Sequence, residues 1–166
     1  CAVLAGNDPL AWLCVLGVWR VGLAWVPLNP RTPDDHVQLL SGFDVEVLFF
    51  QKAFAPVIDT IRAAYAGLKL LVCIDGEVEG AEIFDNWCGH YPPEPPAQRA
   101  DSDLLAAIMP TGGTTGIPKG VMLTQRNLSL SIANNIINTQ YAAGDAIVNL
   151  AAAPMTHTAG FLTLSA

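Results

Sequence analysis

Apolar and polar positions alternate along this chain in blocks that read as strands and helices. Residues 2–5 are short and apolar, the end of a buried strand. Residues 9–21 are apolar on most faces, with Arg20 the only charge, which predicts a helix packed between layers. Asn7 or Asp8 supplies its N-cap, and Pro9 suits its first turn. Residues 24–28 form the next strand, and residues 29–33 a proline-rich turn. Thr32 or Asp34 then opens a short helix through Leu40, which Gly42 ends. Residues 45–50 are apolar apart from Glu46, residues 54–66 an amphipathic helix closed by Gly67, and residues 68–74 a strand. Such alternation predicts βαβ units. Continuous apolar strands fit a sheet covered on both faces. The expected fold class is α/β, with layered, largely parallel sheets and flanking helices.

The second half is punctuated differently. Residues 75–80 are acidic and turn-prone, and residues 81–88 a weak helix. Tyr91-Pro92-Pro93-Glu94-Pro95-Pro96 is stiff and extended. Residues 91–100 therefore read as a spacer between a βα sub-part, 1–90, and a second sub-part, 101–166. In that second part, an apolar run at 104–109 leads into Thr111-Gly112-Gly113-Thr114-Thr115-Gly116-Ile117-Pro118-Lys119-Gly120, and 121–123 leads out. The layout is strand, polar loop, strand. A helix capped by Thr124 follows through 141, then a buried strand at 147–150, then a helix from 157 to 164.

Four glycines, three threonines and one lysine in ten residues are suited to holding an anion. Glycines let successive backbone N–H groups turn toward one point, and a concave row of N–H groups binds phosphate. Threonine hydroxyls add donors and Lys119 a positive charge. The Walker loop is not the match, since Pro118 precedes the lysine and Gly120, not a hydroxyl residue, follows it. Pro118 also disfavours helical geometry at Ile117. A Gly/Thr-rich hairpin without a ligand is the plain alternative.

The string Thr-Gly-Gly-Thr-Thr-Gly-x-Pro-Lys-Gly-Val closely resembles the phosphate-binding signature of the adenylate-forming (AMP-binding) superfamily. That group includes acyl-CoA synthetases, luciferases and peptide-synthetase adenylation domains. Ala153-Pro154-Met155-Thr156-His157-Thr158-Ala159-Gly160 resembles the family's Pro-x-x-His-x-x-Gly segment, and Val26-Pro27-Leu28-Asn29-Pro30-Arg31-Thr32-Pro33 resembles an early family segment. Thr156 and Gln125 depart from it, where relatives often carry an aromatic residue and a histidine. The resemblance implies an incomplete part of a large N-terminal domain. It implies that Thr111, Gly112, Gly113, Thr114, Thr115, Gly116 and Lys119 bind ATP phosphates and that His157 and Gly160 border the acyl pocket. It also implies ATP, Mg²⁺ and coenzyme A as partners of a small carboxylate, as in an acyl-CoA synthetase acting on fatty or aromatic acids. The family's adenylating lysine lies near the C-terminus of the full protein, so no catalytic residue and no metal ligand is assigned here. A non-catalytic nucleotide-binding remnant of the same fold is the alternative.

Composition narrows the rest. Of 166 residues, 52% are hydrophobic and only 14% charged, and the first residue is Cys1; both suit part of a larger enzyme whose other parts cover apolar surface. The net charge of −7 and the absence of a Lys/Arg cluster exclude a nucleic-acid footprint. Four cysteines without Cys-x-x-Cys spacing read as reduced thiols of a cytoplasmic protein. Residues 9–28 have the length of a membrane span, but Gly22 divides them into helix and strand, so no span is expected. Hydrolase-elbow, zinc-protease and dinucleotide motifs are absent. His36 and His90 read as exposed, and oligomeric state is left open. In a complete ligase carrying this chain, Gly116→Val is expected to lower turnover strongly with little loss of fold, because a β-branched residue resists positive φ. An unchanged kcat/KM for ATP would remove the loop from the mechanism.

Overall fold

The computed structural model describes residues 1–94, 101–111, 119–140, 144, 146, 148, 150, 152–155 and 158–162. Five strands, β1 (Ala2–Leu4), β2 (Val26–Pro27), β3 (Val47–Phe50), β4 (Leu70–Cys73) and β5 (Glu82–Ile83), form a parallel sheet in the order β2-β1-β3-β4-β5. Between them run α1 (Pro9–Arg20), α2 (His36–Gly42) and α3 (Ala55–Ala64), and α4 (Phe84–Gly89) follows β5. The period-two alternation of the strands sorts side chains into two cores. Ala2, Leu4, Leu48, Phe50 and Cys73 face α2 and α3, meeting Leu39, Leu40, Ile58 and Ile61. Val3, Ala5, Phe49, Val72 and Ile74 face α1, meeting Trp12, Val15 and Val18, with Phe84 and Trp87 of α4 at the margin. Fully burying one such aliphatic or aromatic side chain contributes about 1.5–3 kcal/mol.

An antiparallel hairpin extends this sheet. Its strands are β6 (Leu105–Thr111) and β7 (Lys119–Thr124), paired from Leu105 with Thr124 to Thr111 with Lys119. Trp25, just before β2, makes a parallel bridge to Ala107. Its N–H donates to the Ala106 carbonyl at 2.9 Å, and its carbonyl accepts from Ile108 N–H at 2.9 Å. Gly120 in β7 sits where a Cβ would lie 2.4 Å from Ile108 Cγ2 and 2.9 Å from the Phe43 ring. Only a glycine lets the hairpin lie this close to the end of α2. Helix α5 (Gln125–Thr139) starts at Thr124, whose Oγ1 accepts from Asn127 N–H at 3.2 Å while the Asn127 side chain accepts from Thr124 N–H at 2.9 Å. A reciprocal cap of this kind stabilises the helix by about 1 kcal/mol. The last described helix is α6 (Thr158–Leu162).

The structure departs from the sequence reading at several points. Residues 81–88 are not one helix: Glu82 and Ile83 pair with β4 and the helix begins at Phe84, because two residues are too few to show a strand period. Helix α1 is covered by the sheet and, at Trp12 and Trp19, by residues 160 and 161 of α6, but its outer face is open and Leu13 is 57% exposed. Val148 and Leu150 lie outside any strand and are almost fully exposed, so residues 147–150 are not the expected buried strand at their described positions. Apolar sequence buries only where a partner strand and a covering layer exist, and among the described residues these two side chains meet neither. Of the proline-rich spacer, 95–100 lie outside the described residues, and Tyr91 packs edge-on against Trp87 at 5.7 Å. Among the described residues no helix is long and apolar enough to cross a membrane.

His90 is exposed as expected, but His36 is not: it is 1% exposed. Its Nε2 lies 2.9 Å from the Asn29 carbonyl, across the proline-rich turn that leads into α2. Nε2 therefore carries the proton, and buried Nδ1 has no partner among the described residues. Burial lowers the His36 pKa below its ordinary 6.5, against smaller raising effects of the Asn29 hydrogen bond and of Asp35 and Asp34. The unfolded chain thus takes up the proton first as pH falls. Stability contributed by neutral His36 is complete above pH 6.5 and is lost as pH falls from there through the folded-state value. His36→Phe is expected to cost about 1 kcal/mol at pH 7.5, for the lost hydrogen bond. Between pH 7.5 and 5 its urea-unfolding free energy should then fall less steeply than the parent's. Parallel pH profiles would show that His36 is not buried neutral.

Candidate functional site: the hairpin mouth and the carboxyl edge of the sheet

Because the Trp25–Ala107 bridge is parallel, β6 runs in the same direction as the five-stranded sheet. Thr111 lies four residues past the bridge, about 13 Å further on at 3.3 Å per residue. The open end of the hairpin, Thr111 opposite Lys119, is therefore at the carboxyl edge. Thr111 Oγ1 donates to the Lys119 carbonyl at 3.1 Å and closes this last pair. Its proton is thus already committed. Lys119 is exposed at the mouth. Arg126 lies at the opposite end of the hairpin, where Nε and Nη2 donate to Asp103 Oδ1 at 3.1 and 2.7 Å, and Nη2 also to Ser102 Oγ at 3.0 Å. Lys119 supplies a positive charge to an anion at this mouth. Gly112, Gly113, Thr114, Thr115 and Gly116 lie outside the described residues, as does His157.

A cavity of about 370 Å³ opens beside Thr111. Its walls are Met109, Val121 and Leu123 of the hairpin, Leu128 of α5 and Phe161 of α6, with Asn127 and Ser131 as polar members. One cavity thus touches both the hairpin mouth and the helix that carries Gly160. Gly160 is buried, and a Cβ there would lie 2.2 Å from the Met155 carbonyl oxygen and 2.6 Å from the Trp12 ring. The absent side chain lets α6 rest on α1. Phe161 stacks on Trp19 at 6.0 Å and meets Trp25 edge-on at 5.6 Å, while Trp12, Trp19 and Trp25 contact one another at 5.6–6.1 Å. Each aromatic pair contributes about 0.5–1.5 kcal/mol beyond area burial.

The generic ligand crevice of a doubly wound sheet lies where the strand order reverses, here between β1 and β3. In this chain that crevice is filled by its own side chains. Gln51 Oε1 accepts from Gly6 N–H at 2.8 Å, and Gln51 Nε2 donates to Asp8 Oδ2 at 3.2 Å. Asp8 Oδ1 caps α1 through Leu10 N–H at 2.7 Å. Asn7, the other candidate cap, instead binds residues 153 and 155. Sequence reasoning missed both this contact and the aromatic platform. Two signals bear on them: tandem Asn-Asp before Pro9 leaves one side chain free of capping, and Trp12 and Trp19 are seven residues apart, on one helix face.

Thiol chemistry is disfavoured at this edge and elsewhere. All four cysteines are free. Burial pushes the Cys14 thiol up to about 12 and also raises Cys73 and Cys88. Among the described residues no group of three or more His, Cys, Asp or Glu side chains is placed to hold a metal ion.

A parallel α/β sheet thus carries, at its edge, a hairpin beside an apolar cavity. The chain belongs to the AMP-binding enzyme family, whose profile matches residues 1–166. It is 33% identical to an indoleacetate–CoA ligase of Aromatoleum aromaticum over 163 residues, 96% of this chain and 31% of that protein. Its fold matches a red-emitting luciferase of Phrixothrix hirtus with a TM-score of 0.85 at 22% identity, over 99% of this chain and 33% of the luciferase. A long-chain-fatty-acid–CoA ligase of Archaeoglobus fulgidus matches with a TM-score of 0.83 at 25% identity, over 99% of this chain and 32% of the ligase. The chain therefore spans about a third of the length of the relatives it matches.

The seating of α6 on α1 is directly testable. Gly160→Ala drives a Cβ into a backbone oxygen that cannot rotate away, so α6 must shift off Trp12. The expected result is a loss of about 1–3 kcal/mol in thermal unfolding, together with a red shift of tryptophan emission. Unchanged Tm and emission would show that α6 does not pack on Trp12.

Proposed function

We propose that the protein activates a carboxylic acid with ATP, forming an acyl-adenylate and then an acyl-CoA thioester. In the first step a carboxylate oxygen attacks the α-phosphorus and the bond to the β-phosphate bridge breaks, releasing pyrophosphate. In the second, the coenzyme A sulfur attacks the acyl carbon, AMP leaves, and the thiol proton passes to solvent. The observation that carries this reading is the meeting of the hairpin mouth and α6 around one apolar cavity. It places a phosphate-compatible cation, Lys119, at the same edge as an apolar recess.

Developing charge on the pyrophosphate leaving group needs donors aimed at it. Lys119 with the backbone amides of Gly112, Gly113 and Gly116 and the hydroxyls of Thr114 and Thr115 form that donor set, and Thr111 braces it. Mg²⁺ fits as a companion of the ATP phosphates rather than of a carboxylate cage. His157 and Gly160 border the acyl group. The apolar walls of the cavity suit a hydrophobic acyl group, fatty or aromatic. The relative that acts on indoleacetate points the same way. Free thiols throughout fit a cytoplasmic enzyme. Lys119 binds phosphate and is not the adenylating lysine. No lysine follows it in this chain, and the one arginine that does, Arg126, is tied to Asp103.

Residues 1–166 alone are therefore expected to show no carboxylate-dependent pyrophosphate exchange, with at most weak Mg-ATP binding. In a complete ligase carrying this chain, exchange should appear with fatty or aromatic acids. There, His157→Ala should raise KM for the acid by about tenfold while leaving KM for ATP nearly unchanged. A defect confined to ATP would overturn the acyl assignment. Exchange by residues 1–166 above a no-protein control, abolished by Thr115→Ala, would overturn the incompleteness of the site.

A further inference from the structure

Asn7 holds a segment 146 residues away in sequence. Its Nδ2 donates to the Ala153 carbonyl at 3.1 Å, and its Oδ1 accepts from Met155 N–H at 2.7 Å. These partners fix the orientation of the amide: its oxygen faces an N–H and its nitrogen faces a carbonyl. The two backbone groups flank Pro154, which has no N–H of its own. The carboxamide thus pairs with the backbone around residue 154 as a neighbouring strand would. Only Asn and Gln present a donor and an acceptor side by side for such a pairing. Helix capping does not explain Asn7, because Asp8 performs it.

The same helix holds the chain again a few residues later. Gly160 is seated against Trp12, and Phe161 stacks on Trp19. Residues 153–155 and 160–161 are thus both attached to α1, the first by polar bonds at its N-terminal end and the second by apolar contact along its face, and Phe161 is a wall of the cavity of about 370 Å³.

We infer that Asn7 is a positioning residue for the acid substrate: its carboxamide clamps residues 153–155 to the start of α1 and, with the seat of Gly160 on Trp12, sets where Phe161 walls the apolar cavity. The inference rests on the proposed acid-activating function. Asn7 does not touch substrate and acts only through the backbone it holds.

The test uses a complete ligase carrying this chain, with Asn7→Ala and Asn7→Asp. Asn7→Ala removes both bonds; Asn7→Asp keeps the acceptor for Met155 and loses the donor to Ala153. Misplacement of a substrate-bordering segment typically costs between about 10- and 100-fold. Asn7→Ala should therefore raise KM for the acid by at least tenfold with KM for ATP changed less than twofold, and Asn7→Asp should fall between it and the parent. Hydrogen exchange at the Met155 amide should be slow in the parent, fast in Asn7→Ala and partly protected in Asn7→Asp. Equal rises in both KM values would mean a general structural role and overturn the inference. Unchanged acid KM with fast Met155 exchange would overturn it too, since the clamp would exist without positioning substrate. A parent lacking carboxylate-dependent exchange overturns the function reading and the positioning role together, and Met155 exchange then decides whether the clamp itself is real.

Discussion

Trp25 ties the candidate site to the rest of the molecule. Its backbone makes the parallel bridge that carries the hairpin on the edge of the sheet, through hydrogen bonds of 2.9 Å on either side. Its fully buried side chain sits among Trp12 and Trp19 of α1 and Phe161 of α6. Trp19 Nε1 donates to the Ala106 carbonyl at 2.6 Å, the same oxygen that Trp25 N–H uses. One residue thus fixes the direction of β6 and gives α6 a surface to rest on. Were this bridge antiparallel, the hairpin mouth would open at the opposite edge from Asn7 and Gln51.

The division of labour at the carboxyl edge follows from which groups are already satisfied. Gln51 and Asp8 fill the crevice that a doubly wound sheet offers by default. Arg126 is held by Asp103 and Ser102 at the far end of the hairpin, and at the mouth the Thr111 hydroxyl is taken by the Lys119 carbonyl. In a chain of net charge −7, an anion has little general attraction to the surface. Local donors and the Lys119 charge are what remain to hold it. An apolar cavity beside them suits a substrate with one charged end and one hydrophobic end.

Two glycines show the same logic at the level of packing. Gly120 lets the hairpin approach Phe43 and Ile108, and Gly160 lets α6 approach Trp12 and the Met155 carbonyl. Both belong to segments singled out for chemistry, yet in the structure each is needed first for close approach. A glycine in a signature motif is therefore not automatically a ligand-binding residue. Its neighbours decide whether the missing Cβ makes room for substrate or for the protein's own side chains.

Much of the fold was legible in the residues alone. Continuous apolar strands separated by helices predicted a parallel α/β sheet, and Thr124 and Asp8 appear as the caps their side chains favour. These features depend on neighbours close in sequence, which is why a linear reading reaches them. The glycine- and threonine-rich signature likewise pointed to the family, which the whole-chain match establishes. Tertiary structure decided what depends on partners far along the chain. His36 looked exposed because its burial is set by the turn at Asn29 and the helices above it, not by its own neighbours. Val148 and Leu150 looked buried because apolar character does not say whether a covering layer is present. The tandem Asn7-Asp8 before Pro9 left one side chain uncommitted, but a carboxamide carries no mark of which distant backbone it will meet, here residues 153–155. The hydrogen-bonding capacity was written in the sequence; the fold chose the partner.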